Sequence, residues 1–181
     1  GVDSNILYFA SMPSALAAAV AGSEPRTVCL WARVDDWGAD DTLFQYGATD
    51  GERFGLSLGR SEGRINVTAG AASTITIDGT VDWGYWHHYC VAYDASVSFY
   101  FDGRLTASWT AALDTGAGYG LYLGADVDGA HGLSGALDEV YLYGSALGAD
   151  AVAVLYGAVS VAPTASPAPT SHWFEGSLVA Y

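Results

Sequence analysis

Lysine is absent from this chain, whose only permanently cationic side chains are six arginines against 20 acidic residues, for a net charge of −14. Such a surface repels a phosphate backbone and has no basic patch from which to release counterions, which excludes nucleic acid as a partner. Glutamate is scarce as well: the five are Glu24, Glu52, Glu62, Glu139 and Glu175. None stand in the Glu-x-Asp-x-x-Glu spacing that would set a nucleophile and an acid on one strand, so glycoside hydrolysis by two carboxyl groups about 5 Å apart has no support. There is no Gly-x-Ser-x-Gly elbow, phosphate-binding loop or metalloprotease motif, and the chain reads as no enzyme. Long apolar runs are missing too. The best stretch, Ala15 to Ala21, falls far short of the roughly 20 residues that span a bilayer, and it lacks the basic flank of a signal peptide, so no membrane insertion is expected. Cysteine is limited to Cys29 and Cys90, each inside a strand-like run, RTVCLWARV and HHYCVAYD. From the residues alone, two buried thiols and one disulfide both stand.

What the chain has is 51% hydrophobic residues and 23 glycines, a composition for many short strands joined by tight turns. ILYFA (6–10) and RTVCLWARV (26–34) open the series. The segment between them is bracketed by Pro13 and Pro25 and reads as a loop with at most one helical turn. DTLFQYG, RFGLSLG, GRINVTAG, STITIDG, WHHYCVAYD and SVSFYFDGRLTASW follow, alternating or apolar runs of strand length. Asp102-Gly103 is the clearest hairpin signal, because a two-residue primed turn needs positive φ. Two later strands, GYGLYLGAD and GALDEVYLYG, flank an acidic glycine-rich loop, and GADAVAVLY (148–156) is the one convincing helix. From residue 160 the chain turns to VAPTASPAPTS, so the division is a domain at 1–159, a Pro/Ser/Thr-rich linker at 160–171, and 172–181 as the start of a further module or a returning or donated strand.

Asp-rich loops suit Ca²⁺, a hard cation that takes carboxylate and carbonyl oxygens, and equally suit ordinary turns or a salty habitat. The sequon Asn66-Val67-Thr68 marks Asn66 as an N-glycosylation site and, with the Ser/Thr/Pro tail, points to an oxidising setting: a secreted or cell-surface protein. Trp37, Trp83 and Tyr85 fall in predicted loops beside Asp or Gly and are the aromatic candidates for stacking on a sugar. His87 and His88 are neighbours on a strand, so their side chains face opposite ways and cannot chelate one ion together.

The order RTVCLWARV, TLFQYGATDGERFGLSLG, WHHYCVAYDASVSFYFDGRL, LYLGADVDG and GALDEVYLYGSALGADAVAVLY resembles the laminin-G-like and pentraxin branch of the concanavalin A-like proteins, over most of residues 26–156. The resemblance implies an all-β, antiparallel sandwich (jelly roll) with one short helix near the domain's C-terminal end. It implies a Cys29–Cys90 disulfide. It also implies one Ca²⁺ held by Asp50, Asp126, the Val127 carbonyl and Asp128, although the further Glu and Gln ligands of pentraxins have no counterpart here. In LDEV, Asp138 and Glu139 read as scaffold. The function implied is an extracellular, calcium-dependent binding or adhesion module for a glycan or another surface ligand. The alternative is a structural repeat of a fibre, wall or appendage that associates with neighbouring modules, suggested by GSLVAY (176–181) standing after the domain where relatives place such a segment before it.

Overall fold

Period-2 alternation dictates which face of each strand is buried. In FGLSLG, Phe54, Leu56 and Leu58 enter the core while glycine and serine point away; in RINVTA, Ile65, Val67 and Ala69 enter it while Arg64, Asn66 and Thr68 do not. The computed structural model describes residues 7–9, 14–35, 40–47, 52–59, 64–70, 74–78, 81–82, 84–116 and 120–157, which form eleven strands. The first sheet orders β1 (Leu7–Phe9), β10 (Leu121–Leu123), β3 (Asp41–Tyr46), β4 (Phe54–Gly59), β5 (Arg64–Ala69) and β6 (Thr74–Asp78). The second orders β11 (Gly135–Tyr143), β2 (Arg26–Val34), β7 (Trp86–Tyr93), β8 (Ser96–Phe101) and β9 (Arg104–Thr110). Every pairing is antiparallel, and the two sheets close over one core that includes Leu30, Phe44, Phe54, Tyr89 and Phe99. The expected sandwich is what forms.

The hairpin at Asp102-Gly103 is present, with φ of 47° and 74°, and it joins β8 to β9. A Cβ on Gly103 would lie 2.8 Å from the Tyr156 ring, so that glycine serves both the turn and the helix packed above it. Asp102 also fixes β7: its Oδ1 accepts the His88 amide at 2.9 Å and its Oδ2 meets His87 Nδ1 at 2.9 Å.

Besides α2 (Ala149–Leu155) the chain forms a short α1 (Ser14–Ala19), in the segment where the sequence allowed a helical turn. SALAAA is built of strong helix formers, and a proline directly ahead of a helix suits its first turn rather than breaking it. Ala17 and Val20 bury as the segment docks. Next to it Arg26, fully buried, donates to the carbonyls of Ala21, Gly22 and Glu24, and its guanidinium lies 5.7 to 6.0 Å from the ring centres of Tyr46, Phe54 and Tyr93. Residues 158–181, and with them the predicted domain end, linker and trailing segment, lie outside the described residues.

Candidate binding site

The outward faces of the two sheets differ. On the five-stranded sheet, Cys29 of β2 and Cys90 of β7 stand in register and are joined by a disulfide. Val152 of α2 covers them, with Ala92, Tyr100, Leu147 and Leu155 around it. Thr27 locks the approach to the helix: its hydroxyl donates to the Ser145 carbonyl at 2.8 Å and accepts the Leu147 amide at 2.9 Å. His88 is buried in this layer, with its ring 5.3 Å from Trp31, 5.9 Å from Tyr156 and its Nε2 3.7 Å from Cys90 Sγ. Burial pushes it down to about 4, against the smaller opposing pull of the Asp102 carboxylate. A neutral ring within an aromatic layer is scaffold.

On the six-stranded sheet, small polar residues stand in cross-strand rows. Thr42, Ser57, Asn66 and Thr76 are successive partners across β3, β4, β5 and β6; Gln45, Gly55 and Thr68 are partners across β3, β4 and β5. The bulge between Thr42 and Phe44 keeps both β3 residues on this face while Phe44 and Tyr46 remain in the core. Gly55 stands between Gln45 and Thr68 with no side chain, and a Cβ there would come within 3.0 Å of the Phe44 carbonyl. A recess of about 180 Å³ opens above it, bounded by these rows short of Thr76 and by Arg53, Asp40, Asp126 and His131. That is below the roughly 300 Å³ at which pockets for drug-sized ligands begin, and suits one ring-sized unit.

Two residues that line this recess each carry a buried donor without an acceptor. Gln45 is 5% exposed, and its Nε2 has no partner among the described residues; Arg53 Nε, also shut off from solvent, has none either. Buried donors are nearly always satisfied, by protein or by ordered water. Asn66 is differently placed, its Oδ1 accepting from the Thr76 hydroxyl at 2.9 Å.

One rim is the loop from Asp126 to His131, tied to β3 where the Thr42 amide donates to the His131 carbonyl at 2.9 Å. The two aspartates of this loop have separate fates. Asp128 is exposed, whereas Asp126 turns into the loop: its Oδ1 accepts the amides of Asp128 and Ala130 at 3.1 and 2.7 Å, and its Oδ2 meets His131 Nδ1 at 2.7 Å. Asp50 and Trp37 lie outside the described residues, as does Trp83. Tyr85 is 69% exposed ahead of β7, in the other sheet and away from the recess. Asp138, in β11, acts locally: its Oδ1 accepts the Glu139 amide at 2.8 Å in a bulge where Glu139 has φ of 47°.

The family model for a laminin-G-type domain of the concanavalin A-like lectin/glucanases superfamily matches residues 11–153. The chain belongs to that superfamily. Among solved structures, this concanavalin A-like chain is similar to the CBM40 domain of a Ruminococcus gnavus IT-sialidase bound to α2,3-sialyllactose, at TM-score 0.69 and 14% identity, covering 84% of this chain and 92% of that one. It is similar to a heptameric SAP-like pentraxin of Limulus polyphemus at TM-score 0.63 and 18% identity, covering 90% and 83%. A Trypanosoma rangeli sialidase matches at TM-score 0.60 and 20% identity, covering 74% of this chain but only 23% of that protein. At these identities the likeness is one of fold. No curated protein matches the chain in sequence.

The pentraxin-like arrangement asks whether these loops suit Ca²⁺, which takes about six to eight oxygens. Among the described residues Asp126 accepts hydrogen bonds within its loop beside the Val127 carbonyl and the exposed Asp128, and no third carboxylate joins them; Asp50 lies outside the described residues. The one potential metal-ligating group among the described residues is Cys29, His88 and Cys90, where both sulfurs are spent in the disulfide.

Proposed function

We propose that this domain is a non-enzymatic, extracellular carbohydrate-binding module that seats a sugar unit on the outer face of the six-stranded sheet. The carrying observation is the glycine-floored recess lined by small polar side chains, with Gln45, whose Nε2 is buried without a partner, among the lining residues. Ser57, Asn66 and Thr68 offer hydroxyls and an amide that both donate and accept, the pairing that sugar hydroxyls require. Glycan-bound neighbours of the same fold support the reading, and the disulfide fits a secreted or surface location. Binding rather than catalysis fits the rim, where Asp126 is committed to its own loop and Asp40 is likewise engaged. Calcium dependence, which the pentraxin resemblance implies, would have Asp126 share its carboxylate between the loop and the ion.

A glycan array probed in millimolar Ca²⁺ and again in EDTA tests the reading. Retention of a defined set of glycans in both conditions, lost in Ser57→Leu at unchanged thermal stability, is the expected result. Binding confined to calcium would restore the metal; no binding in either condition would overturn the module.

A further inference from the structure

We infer that the recess takes an uncharged sugar unit through its hydroxyls and turns away the carboxylated form of that sugar; the inference rests on the glycan-binding reading and specifies its ligand class. The residues that line the recess include two aspartates, Asp40 and Asp126, against one arginine, Arg53. With histidine counted as neutral, the lining has one negative charge in excess, inside a chain whose net charge is −14. The recess and the molecule around it have the same sign.

No ring in the lining offers a stacking surface. Phe44 is the one aromatic residue among those that bound the recess, and it is 1% exposed and part of the core. A sugar held here depends on hydrogen bonds rather than on an aromatic face. Thr42, Ser57, Asn66 and Thr68 supply hydroxyls and an amide, groups that both give and take a hydrogen. A sugar hydroxyl does the same, whereas a carboxylate only accepts and brings its charge beside those already there.

Repulsion needs no contact, so it does not depend on where the carboxylate oxygens point. The amides of Asp128 and Ala130 and the His131 ring hold Asp126 in place, and hydrogen bonds to a carboxylate favour its charged form without cancelling the charge. Asp40 is engaged as well, but a single arginine offsets only one of the two aspartates. The far charges of the chain are screened beyond about 8–10 Å at physiological ionic strength, which leaves the local excess to decide. One unit of charge at roughly 6 Å weakens the binding of a carboxylate by about threefold in a water-like medium and by about a hundredfold at the effective dielectric of a protein surface.

A glycan array built of matched pairs tests this, with lactose beside α2,3-sialyllactose and galactotriose beside trigalacturonate among them. In every pair that is retained, the neutral member should half-saturate at a protein concentration about threefold or more below that of its acidic counterpart. The ratio should shrink in 1 M NaCl, where the screening length falls to about 3 Å. It should also shrink in Asp126→Asn, whose amide oxygen still accepts from the Asp128 and Ala130 amides while the charge is gone, with folding checked by thermal unfolding. Equal or tighter binding of the acidic members would overturn the inference. So would a neutral preference that neither salt nor Asp126→Asn moves, since shape and not charge would then be selecting. Both results leave the glycan module standing, whereas a blank array would remove the module and the inference with it.

Discussion

Acidification should destabilise this fold through one side chain in particular. His88 is 2% exposed, enclosed by Trp31, Tyr156 and the Cys29–Cys90 bridge, and its folded state titrates at about 4 instead of the ordinary 6.5. Between those two values the unfolded chain holds a proton at this ring and the folded chain does not, so protons favour unfolding as pH falls. Stability from His88 is therefore complete above about pH 6.5, drains away on descending to about pH 4, and changes no further below it. A displacement of that size corresponds to about 3 kcal/mol, which for a chain of this length lowers the midpoint of unfolding by roughly 6–12 °C. Carboxylates titrate at the lower end of the same window, so the measurement has to be differential. Urea unfolding of the native chain and of His88→Phe, which keeps a ring between Trp31 and Tyr156, is followed from pH 7.5 to pH 4. The native chain should lose about 3 kcal/mol more than the variant. Parallel curves would refute the argument that the ring is held neutral by burial.

Removing the disulfide in Cys29→Ala/Cys90→Ala opens a loop spanning a separation of 61 residues, which costs about 4 kcal/mol in the chain-entropy model and should appear in chemical denaturation as a matching loss; a loss under about 1 kcal/mol would show that the β2–β7 register carries the constraint unaided. Asp126→Ala removes an acceptor from two backbone amides and should cost about 1–2 kcal/mol equally in EDTA and in calcium, whereas a cost seen only with calcium would make the loop a metal site after all. Because Asn66 lines the recess, protein glycosylated there in a eukaryotic host should fail to bind the glycans that its unmodified counterpart retains, as read by mass spectrometry of the bound and unbound fractions; retention of the glycosylated form would move the ligand elsewhere.

The sandwich was legible because its signals are local. Alternation in RINVTA, the apolar run of RTVCLWARV and the positive-φ pair Asp102-Gly103 each specify a strand or a turn without reference to anything distant. The recess was not, because it depends on register. Gln45, Gly55 and Thr68 become a unit only when β3, β4 and β5 pair in one alignment, and a slip of one residue would turn all three inward. A signal was present in the outward positions of β4, occupied by glycine and serine rather than by the charged residues that usually solvate an exposed face. The placing of the two loop aspartates depends on the backbone in the same way. Asp126-x-Asp128 predicts two carboxylates on one side only if the backbone stays extended, and the Gly129 amide instead donates to the Asp126 carbonyl in a turn that draws the first carboxylate inward.

The two outer faces show how this fold separates stability from recognition. The face of β2 and β7 is sealed by the disulfide, α2 and an aromatic layer containing His88, so added volume there would displace packed groups. The face of β3, β4 and β5 has no covering helix among the described residues, and there the chain places small polar side chains beside Gln45, whose Nε2 is buried without a partner. An unanswered donor costs roughly 1–3 kcal/mol, an amount the sealed face is able to sustain. If that cost is kept for a ligand, Gln45→Leu should raise the stability of the free domain by about 1 kcal/mol while lowering its affinity for glycan. A Gln45→Leu chain that is both less stable and unimpaired in binding would place Gln45 in the scaffold and remove the main physical reason for assigning the recess a ligand.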